Sequence, residues 1–153
     1  EDTEKVRTWL EQFCIGRGLD ICTGDFPIHD DAIGVDGDDR KLGAHYNIQG
    51  EALTPIASGT MDYVVTNYFD CFPNPLQALL EWNRVLKPGG NLAFYCCNAL
   101  AYLADGPMGP LGNRHRLSVF TDQTVRQLLA RAEYRDISVV LLDKFLLCSA
   151  VKI

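Results

Sequence analysis

Two short apolar runs, each carrying an aspartate at its end, constrain this chain more than any other feature. The first reads Gly18-Leu19-Asp20-Ile21-Cys22-Thr23-Gly24-Asp25, the second Ala32-Ile33-Gly34-Val35-Asp36. Neither alternates polar with apolar residues, the pattern of parallel strands covered on both faces. Residues 61–66 and 92–97 read as two further strands, with a helix between them. Asn74 is placed to cap that helix and Pro75 suits its first position. Leu76, Leu79, Leu80, Val85 and Leu86 supply its apolar face, and Lys87-Pro88-Gly89-Gly90 stops it. Strands alternating with helices predict a mostly parallel α/β sheet.

The flanks extend this pattern. Val6, Trp9, Leu10 and Phe13 are spaced as one face of a helix ending near Gly16. Residues 44–48 form a third, weaker strand candidate. Thr121 and Asp122 open a helix that turns Val125, Leu128, Leu129 and Ala132 inward, and residues 137–142 and 145–153 form a terminal antiparallel hairpin around Asp143-Lys144. The expected sheet therefore reaches seven strands. With 153 residues and no internal repeat or low-complexity linker, the expectation is one domain, 1–153.

Composition removes several classes of function. A net charge of −6 disfavours a phosphate backbone, so no nucleic-acid partner is expected. No apolar run approaches the roughly 20 residues of a membrane span, so no membrane partner is expected either. The opening Glu1-Asp2-Thr3-Glu4 lacks the basic and apolar regions of a secretion signal, and a cytoplasmic protein is expected. The six cysteines, at 14, 22, 71, 96, 97 and 148, form no Cys-x-x-Cys pair. That spacing suits reduced, buried thiols and no metal site. Oligomeric state is left open.

In open α/β sheets a ligand binds beyond the carboxyl ends of the strands, where the connections diverge. Gly24 there lets the backbone approach a ligand closely, and Asp36 can accept both hydroxyls of a ribose. In their order along the chain these segments resemble the cofactor half of class I S-adenosylmethionine-dependent methyltransferases. Asp20, Ile21, Cys22 and Gly24 match the acidic, glycine-rich first motif, and Asp36 the ribose-binding acid. Gly50-Glu51-Ala52-Leu53 resembles the adenine-side motif, Asp62-Tyr63-Val64-Val65 the fourth strand, and Arg84-Val85-Leu86-Lys87-Pro88-Gly89-Gly90 the structural stretch entering the fifth. The resemblance implies a Rossmann-like, mostly parallel seven-stranded sheet with a C-terminal antiparallel hairpin. It assigns cofactor contacts to Asp20, Ile21, Cys22, Gly24, Asp36, Gly37, Glu51, Ala52 and Asn67, with S-adenosyl-L-methionine as the cofactor.

Three departures mark this chain. Cys22 stands where the family carries glycine, and Asp25 where it often carries another. Only sixteen positions separate Asp20 from Asp36, too few for a full crossover helix. Asn67-Tyr68-Phe69-Asp70-Cys71-Phe72 also differs from the motif of amino-methylating enzymes. Oxygen and nitrogen acceptors call for a base, for which His115 and Asp70 lead and His29 follows. Tyr68 and Arg114 are the substrate-contact candidates. The leading function is methyl transfer to a small-molecule or saccharide-like acceptor. The alternative is a methyltransferase-like domain that has lost catalysis and serves binding or assembly. A nicotinamide-dependent oxidoreductase lacks support, because the Gly-x-Gly-x-x-Gly spacing is missing.

Overall fold

The computed structural model describes residues 2–67, 69–102 and 116–153. Its elements run α1 (Asp2–Glu11), β1 (Gly18–Ile21), β2 (Ile33–Val35), β3 (Met61–Thr66), α2 (Pro75–Val85), β4 (Leu86–Cys97), α3 (Asp122–Arg131), β5 (Tyr134–Leu142) and β6 (Phe145–Lys152). The strands make one six-stranded sheet in the order β2-β1-β3-β4-β6-β5. β1 pairs in parallel with β2 and β3, and β3 in parallel with β4. β6 runs antiparallel to β4 and to β5. This is a mixed α/β architecture of the class that the strand–helix alternation predicts, with the Rossmann-like form that the family resemblance implies.

Two apolar layers sandwich the sheet. Alternate residues of β3 divide between them: Val64 joins Leu79, Trp82, Val125 and Leu129 under α2 and α3. Tyr63 and Val65 face Val6 and Leu10 of α1, together with Ile28 and Ala32 from the connection between β1 and β2. That connection contains no helix. Arg7 of α1 donates to the Pro27 carbonyl and anchors the crossover from outside.

The seventh strand expected at 44–48 reduces to a single parallel bridge, Val35 to Tyr46. The cause lies in its neighbour, since β2 has three residues and offers an outer edge too short for a ladder. The Lys87-Pro88-Gly89-Gly90 stretch does not precede β4 but belongs to it. Leu86 already pairs with Met61, and the register then shifts before Asn91 meets Tyr63, so the four residues bulge out of the ladder. β5 similarly starts at Tyr134, ahead of the expected Ile137, with a register shift between Arg135 and Ser138. Asp136 there takes a φ of 50°.

α2 begins as its sequence dictates, with the Asn74 side chain accepting from the Gln77 N–H and Pro75 at the first position. Its inner face carries Trp82. Its flank fastens the long connection before β3: Glu81 Oε2 accepts from Leu53 N at 2.8 Å, while Arg84 pairs with Glu81. Arg84 also donates to the carbonyls of Ile56 at 2.9 Å and Leu53 at 3.0 Å and to Ser58 Oγ at 3.1 Å. A charged donor serving partly buried acceptors contributes about 1.5–3 kcal/mol per bond, shared among several partners. Arg84→Ala is therefore expected to lower stability by about 2–3 kcal/mol in urea unfolding, with Arg84→Lys recovering only part. A loss under 0.5 kcal/mol would show that the clamp is not needed.

Candidate active site

The crevice lies where the chain leaves β1 for one side of the sheet and β3 for the other, the switch point of such a topology. Thr66 Oγ1 donates to the Ile21 carbonyl at 2.8 Å, tying the two strand ends together. Beyond Ile21 the backbone turns sharply. Cys22 takes a φ of 58° and Gly24 a φ of 65°. A side chain in that left-handed region costs about 1 kcal/mol, which glycine avoids. A Cβ added to Gly24 would meet no heavy atom within 4 Å, so the turn presents open space there.

Asp36 follows β2 directly and is half-buried. Its Oδ2 accepts from the Gly24 N–H at 3.0 Å and its Oδ1 from the Asp38 N–H at 2.9 Å. The turn and the acid are thus one unit. Cys22 sits within electrostatic reach of Asp36, Cys71, Asp20 and Glu51. Burial first, then those charges, pushes its thiol up to about 12. The thiol is neutral, hence a small apolar contact and not a nucleophile.

Asp20 is 1% exposed and lies beneath the turn. Thr23 Oγ1 and Ile28 N both donate to its Oδ2, at 3.0 and 2.8 Å. The carboxylate therefore shapes the short crossover that replaces a helix. Among the described residues its Oδ1 has no hydrogen-bond partner, and the buried Tyr63 hydroxyl nearby lies against the Cys14 thiol. Burial pushes the Asp20 carboxyl up to about 6, against the pull of its bonds from Ile28 and Thr23.

The folded protein consequently holds this proton more tightly than the unfolded chain. The stability so gained is fully present below the unfolded value of 3.8 and is lost as pH rises through about 6. Asp20→Asn keeps an acceptor for Ile28 and Thr23 while removing the buried charge. It is expected to stabilise the protein at pH 7.5 by about 1–3 kcal/mol and to flatten the stability profile between pH 4 and about 6. Urea titrations at pH 4 and 7.5 check this, and a variant weaker than the parent at pH 7.5 contradicts it.

Other expected site residues fall around this centre. Ile21 is fully buried, its side chain in the α2-side core. Gly37 is exposed, and a Cβ there would come within 2.6 Å of Gln49 Nε2. Glu51 and Ala52 lie where the connection before β3 meets α2, lining a shallow concavity with Thr54, Gln77 and Leu80. Their position is set by Trp82 Nε1, which donates to the Gly50 carbonyl at 2.8 Å. Asn67 is half-buried just past β3.

Asp70 is 5% exposed and heavily engaged. Its Oδ2 accepts from Cys97 N at 3.1 Å and lies 3.5 Å from Arg116 Nε. Its carbonyl accepts from Leu117 N at 2.8 Å and Ser118 N at 3.2 Å. These contacts make Asp70 a junction between the ends of β3 and β4 and the chain returning at 116–118. His29 Nδ1 accepts from Asp31 N at 3.2 Å. Tyr68, Arg114 and His115 lie outside the described residues.

Two features escaped the sequence reading. Trp82 holds the Glu51 loop, a role for which its place on the apolar face of α2 is the only sequence signal. His45 carried no signal at all, being a lone histidine in a loop, yet its Nδ1 accepts the Gly34 N–H at 2.9 Å. Among the described residues no group of three or more His, Cys, Asp or Glu could hold a metal ion. No described helix is long and apolar enough to cross a membrane.

Residues 15–94 match the family described as Methyltransferase domain, just over half of the chain and including the turn, Asp36, the Glu51 loop and most of β4. No curated protein is significantly similar in sequence. Solved structures agree in fold. A SAM-dependent methyltransferase of Thermotoga maritima superposes with a TM-score of 0.77 at 18% identity, covering 97% of this chain and 89% of that one. The YcgJ protein of Bacillus subtilis gives 0.76 at 12% identity, covering 98% of each chain. Phosphoethanolamine N-methyltransferase 2 of Haemonchus contortus, in complex with S-adenosyl-L-methionine, gives 0.78 at 12% identity, covering 97% of this chain and 52% of that one.

Proposed function

This chain belongs to the family of class I S-adenosylmethionine-dependent methyltransferases, and we propose that it transfers a methyl group from that cofactor to a small-molecule or saccharide-like acceptor. The observation that carries the reading is the joined turn and acid. Each Asp36 oxygen accepts one peptide N–H, from Gly24 or from Asp38, and keeps a second acceptor site for a ribose hydroxyl. Gly24 adds an open backbone face beside it. Those two features suit the nucleoside end of the cofactor.

Asp36 would hold the ribose, and Glu51 and Ala52 would flank the adenine. Gly24 and Cys22 would line the methionine end, with Gly37 and Asn67 completing the rim. When bound, S-adenosylmethionine supplies an electrophilic sulfonium methyl, so the protein's task is mainly alignment and exclusion of water. The buried Asp20 keeps the turn in shape from below. Asp70 fixes the chain at 116–118, which directly follows Arg114 and His115 in sequence. His115 is the proposed base, Tyr68 and Arg114 the proposed acceptor contacts. The engagement of Asp70 with Cys97 and Arg116 suits positioning better than proton removal. The Haemonchus enzyme, by its name, methylates a small phosphoamine, in keeping with a small-molecule acceptor.

Cys22 favours a second reading. Its side chain, held at a φ of 58°, occupies a position the family gives to glycine, as a domain kept for binding alone would tolerate. Incubation with methyl-labelled S-adenosylmethionine and a panel of small amines, alcohols and sugars separates the two. Labelled product from the parent and none from His115→Ala supports the enzyme. Cofactor binding without transfer to any acceptor class supports the binding domain.

A further inference from the structure

Residues 42–47 form a strap on the outer side of β2 and over the Gly24 turn. Gly43 N donates to the Gly24 carbonyl at 3.1 Å, and Leu42 N to Asp25 Oδ1 at 3.2 Å. Further along, Asp36 N donates to the Tyr46 carbonyl at 3.1 Å. The strap thus touches both halves of the proposed cofactor site. It also packs tightly, since a Cβ on Gly34 would stand 2.0 Å from the Gly43 carbonyl oxygen.

One residue closes the clasp. Gly34 is the middle residue of β2, and in a parallel ladder its N–H and C=O point together to the outer edge, away from β1. His45 reaches both: its own N–H donates to the Gly34 carbonyl at 2.9 Å, beside the Tyr46 N–H at 3.2 Å, and its imidazole Nδ1 accepts the Gly34 N–H at 2.9 Å. The imidazole nitrogen therefore takes the place of the carbonyl that a neighbouring strand would have supplied. This requires the neutral ring with its proton on Nε2. Gly34 is buried, so its N–H without an acceptor would be an orphan.

We propose that His45 is a positioning residue for cofactor binding, clamping the strap to β2 so that Asp36 and Gly24 hold the geometry the nucleoside requires. The proposal rests on the methyltransferase reading of the site. It explains how the proposed ribose acid is kept in place although β2 lies at the edge of the described sheet. It also closes an edge that would otherwise be open to pairing with another chain.

The test compares His45→Leu, which removes the acceptor, with His45→Asn, whose amide oxygen can replace Nδ1. Two quantities are read: hydrogen exchange at the Gly34 amide and affinity for S-adenosylhomocysteine by calorimetry. In His45→Leu, Gly34 is expected to exchange at least tenfold faster and the dissociation constant to rise by roughly tenfold. His45→Asn is expected to restore both to within about threefold of the parent. His45→Ala serves as a second removal variant at this exposed position should the leucine not fold. Unchanged exchange and affinity in the removal variants overturn the proposal alone, as does an asparagine variant as weak as the leucine. A folded parent that binds no S-adenosylhomocysteine instead overturns the cofactor reading, and the proposal with it.

Discussion

Asp36→Ala is expected to weaken binding of S-adenosylhomocysteine at least a hundredfold. Hydrogen bonds to a charged group contribute about 1.5–3 kcal/mol each, so two ribose hydroxyls losing their acceptor account for about 3–6 kcal/mol. The effect has a second component here. Asp36 also receives the Gly24 and Asp38 amides, so the alanine variant releases the turn as well as the ligand. Asp36→Asn tells the components apart. It retains an acceptor for one of these amides at neutral charge, and is expected to bind more tightly than the alanine variant and more weakly than the parent. Circular dichroism and calorimetry on the three proteins check this. An alanine variant that folds and binds within threefold of the parent would remove Asp36 from the site.

Trp82→Ala carries the largest expected effect on stability. The side chain is fully buried, with Phe69 at 6.1 Å and Phe72 at 5.2 Å between ring centroids. Its indole N–H satisfies the Gly50 carbonyl. Emptying such a site costs about 3–5 kcal/mol, and the stranded carbonyl adds to it. For a domain of this size that lowers the melting temperature by roughly 10–15 °C. Trp82→Phe keeps most of the volume and loses only the hydrogen bond, at an expected cost of about 1–2 kcal/mol. Because Gly50 leads into Glu51 and Ala52, the phenylalanine variant is also expected to loosen the cofactor's adenine side. A melting temperature within 3 °C of the parent for Trp82→Ala would contradict the packing described.

Much of this architecture could be read from the sequence because local and tertiary preferences agree. The unalternating runs at Leu19 and Ile33 gave parallel strands, and Asn74-Pro75 gave the start of α2. The features that were not legible depend on neighbours far along the chain. Whether residues 44–48 form a strand depends on how much edge β2 leaves exposed, which their own composition does not encode. That Lys87-Pro88-Gly89-Gly90 bulges within β4 instead of preceding it depends on the pairing of Leu86 with Met61. In the site, Asp36 and Gly24 announce themselves by type and place. Asp70 looks like a free carboxylate until Cys97 and Arg116 are brought against it. His45 becomes visible only when the Gly34 N–H is seen to need an acceptor.

The most direct test of the central claim is calorimetric titration of the purified parent protein with S-adenosylhomocysteine. The joined turn and acid predict one site per chain with a dissociation constant in the micromolar range, about −8 kcal/mol. A well-folded protein that gives no binding heat at two temperatures with millimolar ligand would contradict it.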